Sequence, residues 1–152
     1  MELTKTFEAD EFRLALESWA WLDLSGKTPV FASLFGDVFF RSDDGWWYLD
    51  TLEGTLSQRW PTQEELDSEL AMEEGQDRYL LGGLARSARD RGIVLEPQQV
   101  YDFRVPPVLG GALDVENIAA VDFVVAVNIA GQLHDQVREL PPGTPIGEVR
   151  IE

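Results

Sequence analysis

The chain has 152 residues, of which 28 are acidic and 12 are basic, so its formal net charge is −16 at neutral pH. Such a field repels nucleic acid and anionic membrane surfaces, which argues against proteins that bind either. The absence of cysteine excludes disulfides and thiolate metal sites, whereas a hydrophobic fraction of 44% with five tryptophans predicts a folded core.

The N-terminus shows no targeting segment. Residues 1–11 lack the basic and apolar regions of a signal peptide, and no apolar run approaches the roughly 18 residues of a membrane span. We therefore predict a cytoplasmic protein with neither membrane nor nucleic-acid partners. The length suits one domain with its own core, residues 1–152.

An amphipathic helix is predicted over residues 7–22. Helical spacing relates four apolar side chains there, those of Phe12, Ala15, Leu16 and Trp19. This apolar face is expected to pack on a sheet. The apolar run of residues 30–35 then leads into the first strand.

Residues 36–60 are predicted to form an antiparallel β-meander at the centre of the fold. Turn signals at residues 43–45 and 52–54, each ending in glycine, separate three short runs of aromatic, β-branched and aliphatic residues. The expected strands are residues 38–41, 46–50 and 55–60. Side chains alternate along a strand, so Trp46 and Tyr48 face one side and Leu49 the other. Both faces are therefore expected to be covered.

Two helices are predicted after the meander. Residues 62–65 have a capping-box pattern, in which the Thr62 side chain accepts a hydrogen bond from the amide of Glu65 and the Glu65 side chain accepts one from the amide of Thr62. A second helix is predicted from about Gly75 to Arg91. The pair Gly82-Gly83 in its middle either permits close packing against a neighbour or breaks the helix.

A strand-like run and a long helix are predicted in the last third of the chain. Residues 100–105 are apolar and β-branched, and the two prolines that follow stop a strand. A helix from about Ala119 to Glu139 is predicted because apolar residues recur every four positions, at Val121, Val125, Ile129, Leu133 and Val137. The β-branched residues in its first half leave a strand as the alternative there. A last edge strand is expected at residues 146–151.

Few residues indicate catalysis. The sequence contains no nucleophile elbow, phosphate-binding loop, dinucleotide fingerprint or zincin motif, and no cofactor is predicted. The single histidine, His134, is interpreted as a surface or partly buried structural residue on the flank opposite the apolar stripe. Asp37, Asp50 and Glu53 lie on strand and turn segments, where a glycosidase-like pair or a divalent-cation site is the alternative.

An acidic segment follows the meander. It contains seven carboxylates and no basic residue between its ends, at Glu64, Glu65, Asp67, Glu69, Glu73, Glu74 and Asp77. The segment itself contains no complementary cation, so it repels itself unless an external group compensates it. It is either a plain solvated surface or a partner-binding patch.

Several segments together resemble one bacterial family. They are Phe-Gly-Asp-Val-Phe-Phe at residues 35–40 with residues 49–55, residues 99–103, residues 106–111 with 116–118, residues 131–137 and residues 140–146. Their order and spacing resemble the C-terminal domain of type VI secretion immunity proteins, which protect a cell from a DNase effector.

The resemblance implies a non-enzymatic α+β domain that binds a toxin. Its motif positions in this chain are interpreted as structural, at Gly36, Asp37, Asp50, Gly54, Gly110, Gly111, Asn117 and Gln132. We expect the meander to be packed by N-terminal, middle and long C-terminal helices, and a basic, nuclease-type toxin to be neutralised by occlusion through the acids of residues 64–77. The alternative is a small-ligand-binding domain or hydrolase that uses carboxylates beside the meander.

Overall fold

A five-stranded antiparallel sheet, whose strands follow chain order, lies at the centre of the molecule. The structure is a computed structural model that describes residues 1–141 and 149–152. The strands are β1 (Thr4–Lys5), β2 (Thr28–Ser33), β3 (Val38–Ser42), β4 (Gly45–Asp50) and β5 (Thr55–Trp60). The predicted meander is confirmed as β3 to β5, and β2 and β1 extend the sheet beyond it.

Helices and a β-hairpin complete the fold within the described residues. The helices are α1 (Ala9–Leu16), α2 (Gln63–Ala71), α3 (Glu73–Leu80), α4 (Gly82–Asp90) and α5 (Phe123–Val137). The hairpin pairs β6 (Gln99–Phe103) with β7 (Ile118–Asp122) in a second antiparallel sheet. The predicted α+β class is confirmed.

Apolar layers cover both faces of the central sheet. On one face, Phe39, Trp46 and Tyr48 belong to a cluster that includes side chains of α2, α3, α4 and the β6–β7 hairpin. On the other face, Phe40 and Leu49 pack with α1 and α5. Alternation along β4 therefore divides its side chains between two cores, as the sequence predicts.

The helix predicted from Gly75 to Arg91 is two helices, so that prediction is wrong in its length. The break lies at Leu81, whose φ of 50° is in the left-handed region that ends a helix. The carboxylate of Asp77 then accepts a hydrogen bond from the amide of Gly83 at 3.1 Å, in the first turn of α4. The predicted break therefore lies one residue before Gly82-Gly83, and Gly82 also packs closely, since an added Cβ would lie 3.3 Å from Leu3 Cδ1.

The ends of the first two helices differ in detail from the prediction. The helix expected over residues 7–22 is shorter, because α1 ends at Leu16 and a 3-10 turn continues to Trp19. At the start of α2, Thr62 Oγ1 accepts the amide of Glu65 at 3.2 Å as predicted. The second bond of the predicted capping box, from the Thr62 amide to the Glu65 side chain, is not among the hydrogen bonds of the described residues.

The C-terminal helix begins at Phe123 rather than near Ala119. Residues 118–122 form β7, so the strand alternative is correct for this short stretch. Asp122 separates strand from helix, because its Oδ1 accepts the amides of Val124 and Val125 at 3.0 and 3.3 Å. This N-cap satisfies two donors that the first turn of α5 leaves free.

The predicted apolar stripe of the C-terminal helix is only partly its buried face, because Leu133 on that stripe is buried but its other four positions are half-buried or exposed. Val125 is 48% exposed, whereas Ala126, Val127, Gly131 and His134 are buried. The helix is therefore rotated relative to the sequence pattern, and small residues take its closest contacts. His134 is 7% exposed, so the expected surface or partly buried position was wrong.

Two predictions concern the chain ends and membranes. Half of the edge strand expected at residues 146–151 falls on residues 146–148, which lie outside the described residues. Residues 149–152 are in neither helix nor strand. Within the described ranges, none of the helices combines the length and the apolar character that crossing a bilayer requires.

Candidate functional site

The seven acids of the predicted partner-binding segment lie on two helices packed against each other, α2 and α3. Only Met72 separates these helices, and the buried Gly75 lies so close to the carbonyl of Glu69 that a Cβ would collide with it. The close approach packs the two acidic helices side by side. Six are exposed and Glu69 is half-buried. We call this the acidic surface: Glu64, Glu65, Asp67, Glu69, Glu73, Glu74 and Asp77.

The acidic surface has no cationic partner within the described residues. The ion pairs there join other acids to arginines, on α1, near the ends of α4 and α5, and between α4 and the loop before β7. Among the seven carboxylates, Asp77 accepts the backbone bond from Gly83. The negative charge of the acidic surface is therefore left for solvent ions or an external cation to balance.

Asp37, the first of the alternative catalytic carboxylates, is buried beneath the turn that follows β2. Its Oδ2 accepts the Ser33 hydroxyl at 2.8 Å, and its Oδ1 accepts the amide and hydroxyl of Thr51 at 2.9 and 2.8 Å. Burial, and next the charge of Asp50, raise the pKa of Asp37 to about 6. These bonds tie the β2–β3 turn to the β4–β5 turn, so Asp37 acts first as a structural clamp.

Asp50 and Glu53 do not complete an open catalytic pair. Asp50 Oδ1 accepts the amides of Leu52 and Glu53 at 2.9 and 3.1 Å, which is the hydrogen bonding of an Asx-type turn. Glu53 is exposed. Within the described residues, moreover, no group of three or more acidic, histidine or cysteine side chains could hold a metal ion.

The remaining motif positions occupy turns and a loop. Asn117 spans the loop after β6, with Oδ1 accepting the amide of Val105 at 2.9 Å and Nδ2 donating to the carbonyls of Val105 and Ala112 at 2.8 and 3.0 Å. In the same loop, Gly110 has a φ of 97°, and a Cβ on Gly111 would collide with the Val105 carbonyl.

Two further motif positions contact α5, and one extends from it. Gly36 lies against Val127, and Gly54 lies against His134, where a Cβ would be 2.5 Å from Nδ1. Gln132 exchanges hydrogen bonds with the backbone of Glu152 at 2.5 and 3.0 Å. Their roles in this structure are packing and chain connection.

His134 is held by the β4–β5 turn. Its Nε2 lies 2.8 Å from the carbonyl of Thr51, which can only accept, so Nε2 carries the proton. Its ring also lies 5.7 Å from that of Trp19. The sequence pattern missed this position because it assigned the wrong face of the helix.

A cavity of ≈ 60 Å³ lies where these parts converge. Asp37, Thr51 and His134 line it together with a carboxylate that was not among the predicted catalytic carboxylates, Asp102 on β6. Drug-sized ligands occupy pockets of about 300–1,000 Å³, so this cavity by itself is too small for one. The signal that could have identified Asp102 was an acidic residue inside the otherwise apolar strand run Val-Tyr-Asp-Phe.

Asp102 is a half-buried carboxylate on the α5 side of the hairpin. It alternates with Tyr101 and Phe103, which face the other core. Its Oδ1 accepts the amide of Phe103 at 2.9 Å, and its other oxygen accepts no hydrogen bond from the described residues. Burial raises the pKa of Asp102 to about 6.

Comparison with known proteins gives a family match over the segment that carries the acidic surface and Asp102. Residues 62–134 match the model of a family described as T6SS immunity protein Tdi1, C-terminal. This match confirms the immunity-family resemblance. The matched segment begins at the cap of α2 and ends at His134, so it contains the acidic surface, Asp102 and the greater part of the cavity wall.

A solved structure shares the fold over a longer part of the chain. The crystal structure of Atu4351 from Agrobacterium tumefaciens matches with a TM-score of 0.58 and 18% sequence identity over 86% of this chain. The chain spans 66% of that protein's length. At this identity the likeness shows the fold alone. No curated protein matches the chain.

Proposed function

We propose that this chain is an immunity-type binding protein that neutralises a cognate type VI effector in the cytoplasm and is not an enzyme. The observation that carries the proposal is the family match, because proteins of that description are immunity proteins. It is supported by the hydrogen bonding of Asp37 and Asp50, which uses the candidate catalytic carboxylates to hold turns. We further propose that residues 1–152 act as one domain.

The proposed partner is a basic effector of the nuclease type. A protein that binds the phosphates of DNA needs lysine and arginine on its binding surface. The acidic surface, which has no cationic partner within the described residues, offers such a protein competing carboxylates. Arginine pairs with carboxylates through two parallel hydrogen bonds, and complementary charge speeds the encounter. Occlusion of the DNA-binding surface is the mechanism that these features favour.

The test begins by identifying the effector through rescue of growth. Each type VI effector gene of the source genome is expressed in a host cell with and without this chain. Rescue from one effector is the expected result. Failure to rescue growth from any of these effectors, with the chain folded and present in excess, would contradict the immunity function.

Charge-neutral variants then test the acidic surface against the identified effector. The surface variant combines Glu64→Gln, Glu65→Gln, Glu73→Gln and Glu74→Gln. We expect its Kd for the effector to rise about 100-fold at low salt, since each lost charge pair at a rim is worth up to about 1 kcal/mol. Wild-type affinity should likewise fall steeply as salt rises.

A matched control has the same change in net charge at other exposed acids whose carboxylates accept no hydrogen bond from the described residues. The control variant combines Glu17→Gln, Asp43→Asn, Glu53→Gln and Glu96→Gln. It should change the Kd much less than the surface variant does. Equal losses in the two variants would mean that net charge acts and not the acidic surface.

A further inference from the structure

The cavity beside Asp102 is built from parts of the chain that are distant in sequence. The turns around β3 and β5 contribute Asp37 and Thr51, β6 contributes Asp102, and α5 forms one wall through Ala130 and its neighbours. The loop of residues 106–108 forms another part of the wall. A cavity held by five such segments is a fixed feature of the fold and not a gap at a loop tip.

The charge in this cavity is negative and has no cationic counterpart within the described residues. Asp37 and Asp102 line it, and its wall within the described residues includes no lysine or arginine. Neither carboxylate takes part in an ion pair there. His134 donates from Nε2 to the Thr51 carbonyl, so that nitrogen is already used. The free oxygen of Asp102 is an available acceptor.

The surroundings of the cavity are apolar. Phe35, Leu133 and Pro107 are among its lining residues. The loop that carries the prolines also exposes Val105 and Leu113, at 50% and 55% of their surface. An apolar wall with a carboxylate inside matches lysine and arginine, whose side chains have an apolar stem and a cationic end.

Other occupants fit this chemistry less well. An anion is repelled by both carboxylates, and a neutral apolar group would bury them further without a partner, which is costly. A metal ion would need a set of ligands that the described residues do not bring together. The negative charge of the cavity, its narrow apolar shape and its lack of a set of metal ligands within the described residues therefore favour an organic cation on a narrow stem.

We propose that this cavity is a socket for one lysine or arginine side chain of the cognate effector, with Asp102 as the residue that pairs with its cationic group. The inference rests on the proposed function, which supplies the partner. The socket adjoins the acidic surface, because Leu81 in its wall lies one helical turn after Asp77. The acidic surface would speed the approach of a basic effector, and the socket would slow its release.

Small cations test the socket without any effector. Purified protein is titrated with n-butylammonium and n-butylguanidinium, which imitate lysine and arginine, and with the neutral n-butylurea. We expect about millimolar affinity, because so few atoms make few contacts against the cost of association, so chemical shifts of backbone amides are the measurement. The cations should shift the amides of Phe103 and Val108, and the neutral compound should bind at least about tenfold more weakly. The better of the two cations identifies the side chain.

Two variants and a control locate the binding. Asp102→Asn keeps the acceptor for the Phe103 amide and removes the charge, so cation affinity should fall about 10- to 100-fold. Ala130→Leu should block the cavity while leaving Asp102 in place. Asp43→Asn, on an exposed turn, should leave the titration unchanged. Equal binding of the cations and n-butylurea, or wild-type affinity in Asp102→Asn and Ala130→Leu, would overturn the socket.

Growth rescue separates failure of the socket from failure of the proposed function. Suppose that wild-type protein neutralises the effector, and that the folded variants Asp102→Asn and Ala130→Leu bind the effector with unchanged affinity. The socket is then wrong and the immunity function stands. If wild-type protein rescues no cell while the cations bind as expected, the immunity function is wrong and the effector is not the occupant. Weaker effector binding by both variants supports the socket.

Discussion

Asp102 is a partly buried carboxylate whose charge the fold compensates poorly. A valine at this strand position would bury apolar surface, whereas an ionised carboxylate here loses hydration and receives only the amide of Phe103. Asp37, by contrast, is more deeply buried but accepts three hydrogen bonds from Ser33 and Thr51. The two acids therefore differ in how well the fold compensates their charge.

Stability should depend on pH through Asp102. Burial raises its pKa to about 6, above the roughly 3.9 of an unfolded aspartate. The folded state therefore holds the proton more tightly, and this contribution is fully present below about pH 4 and lost as pH rises through about 6. Asp102→Asn should thus gain stability relative to wild type between these values, by about 1–2 kcal/mol after solvent screening.

Urea unfolding of both proteins at several pH values measures this difference. Asp37, whose pKa is also raised to about 6, titrates in both proteins, so it does not obscure the comparison. Parallel stability profiles for wild type and Asp102→Asn would show that Asp102 has an ordinary pKa.

At the scale of elements, the packing of α5 on the N-terminal segment depends on Gly131. Ser18 Oγ donates to the carbonyl of Asn128 at 2.7 Å, and Trp19 Nε1 donates to the carbonyl of Val127 at 2.9 Å. A Cβ on Gly131 would collide with Ser18 Oγ and lie 2.8 Å from Trp19 Nε1. The helix can approach this closely only because the side chain is absent.

Opposite effects are expected from two glycine-to-alanine changes in helices. Gly131→Ala should destabilise the protein by about 2–3 kcal/mol, because the added methyl forces α5 away from Ser18 and Trp19. Gly83→Ala should stabilise it by about 0.5 kcal/mol, since Gly83 is exposed, has a helical φ and meets no atom closer than Asp77 Oδ1 at 3.7 Å. Urea unfolding measures both. Similar changes in the two variants would mean that helix propensity, and not the contact with Ser18, sets the effect.

For the whole molecule, self-repulsion is the dominant long-range term. The chain carries 28 acids against 12 basic residues, and the acidic surface gathers seven of those acids on α2 and α3. Each exposed carboxylate there raises the free energy of its neighbours in the folded state. Salt shortens the range of this repulsion.

Stability should therefore rise with salt. We expect the free energy of unfolding to increase by about 1 kcal/mol between about 20 and 300 mM NaCl. The surface variant should show the smallest increase, the control variant an intermediate one, and wild type the largest, because the surface variant removes the most closely spaced charges. Thermal or urea unfolding over this range measures the order. A stability that falls with salt would mean that ion pairs outweigh repulsion.

Local sequence determined the elements whose cause lies within a few residues. The strands around Trp46 and Tyr48 follow from alternation and from two turns that end in glycine, and Thr62 caps α2 as the sequence indicates. Composition likewise determined the excess of negative charge, and the order of short segments determined the family resemblance.

Tertiary structure alone decided which surfaces meet. Leu81 takes a left-handed conformation where α3 ends. Helix α5 turns Gly131 and His134 inward because residues 18 and 19 pack against this face of the helix and the β4–β5 turn binds His134. The same long-range packing brings Asp37 and Asp102 to one cavity. Periodicity reports where apolar side chains recur along the chain, but the buried face and the shape of a cavity depend on partners more than sixty residues away.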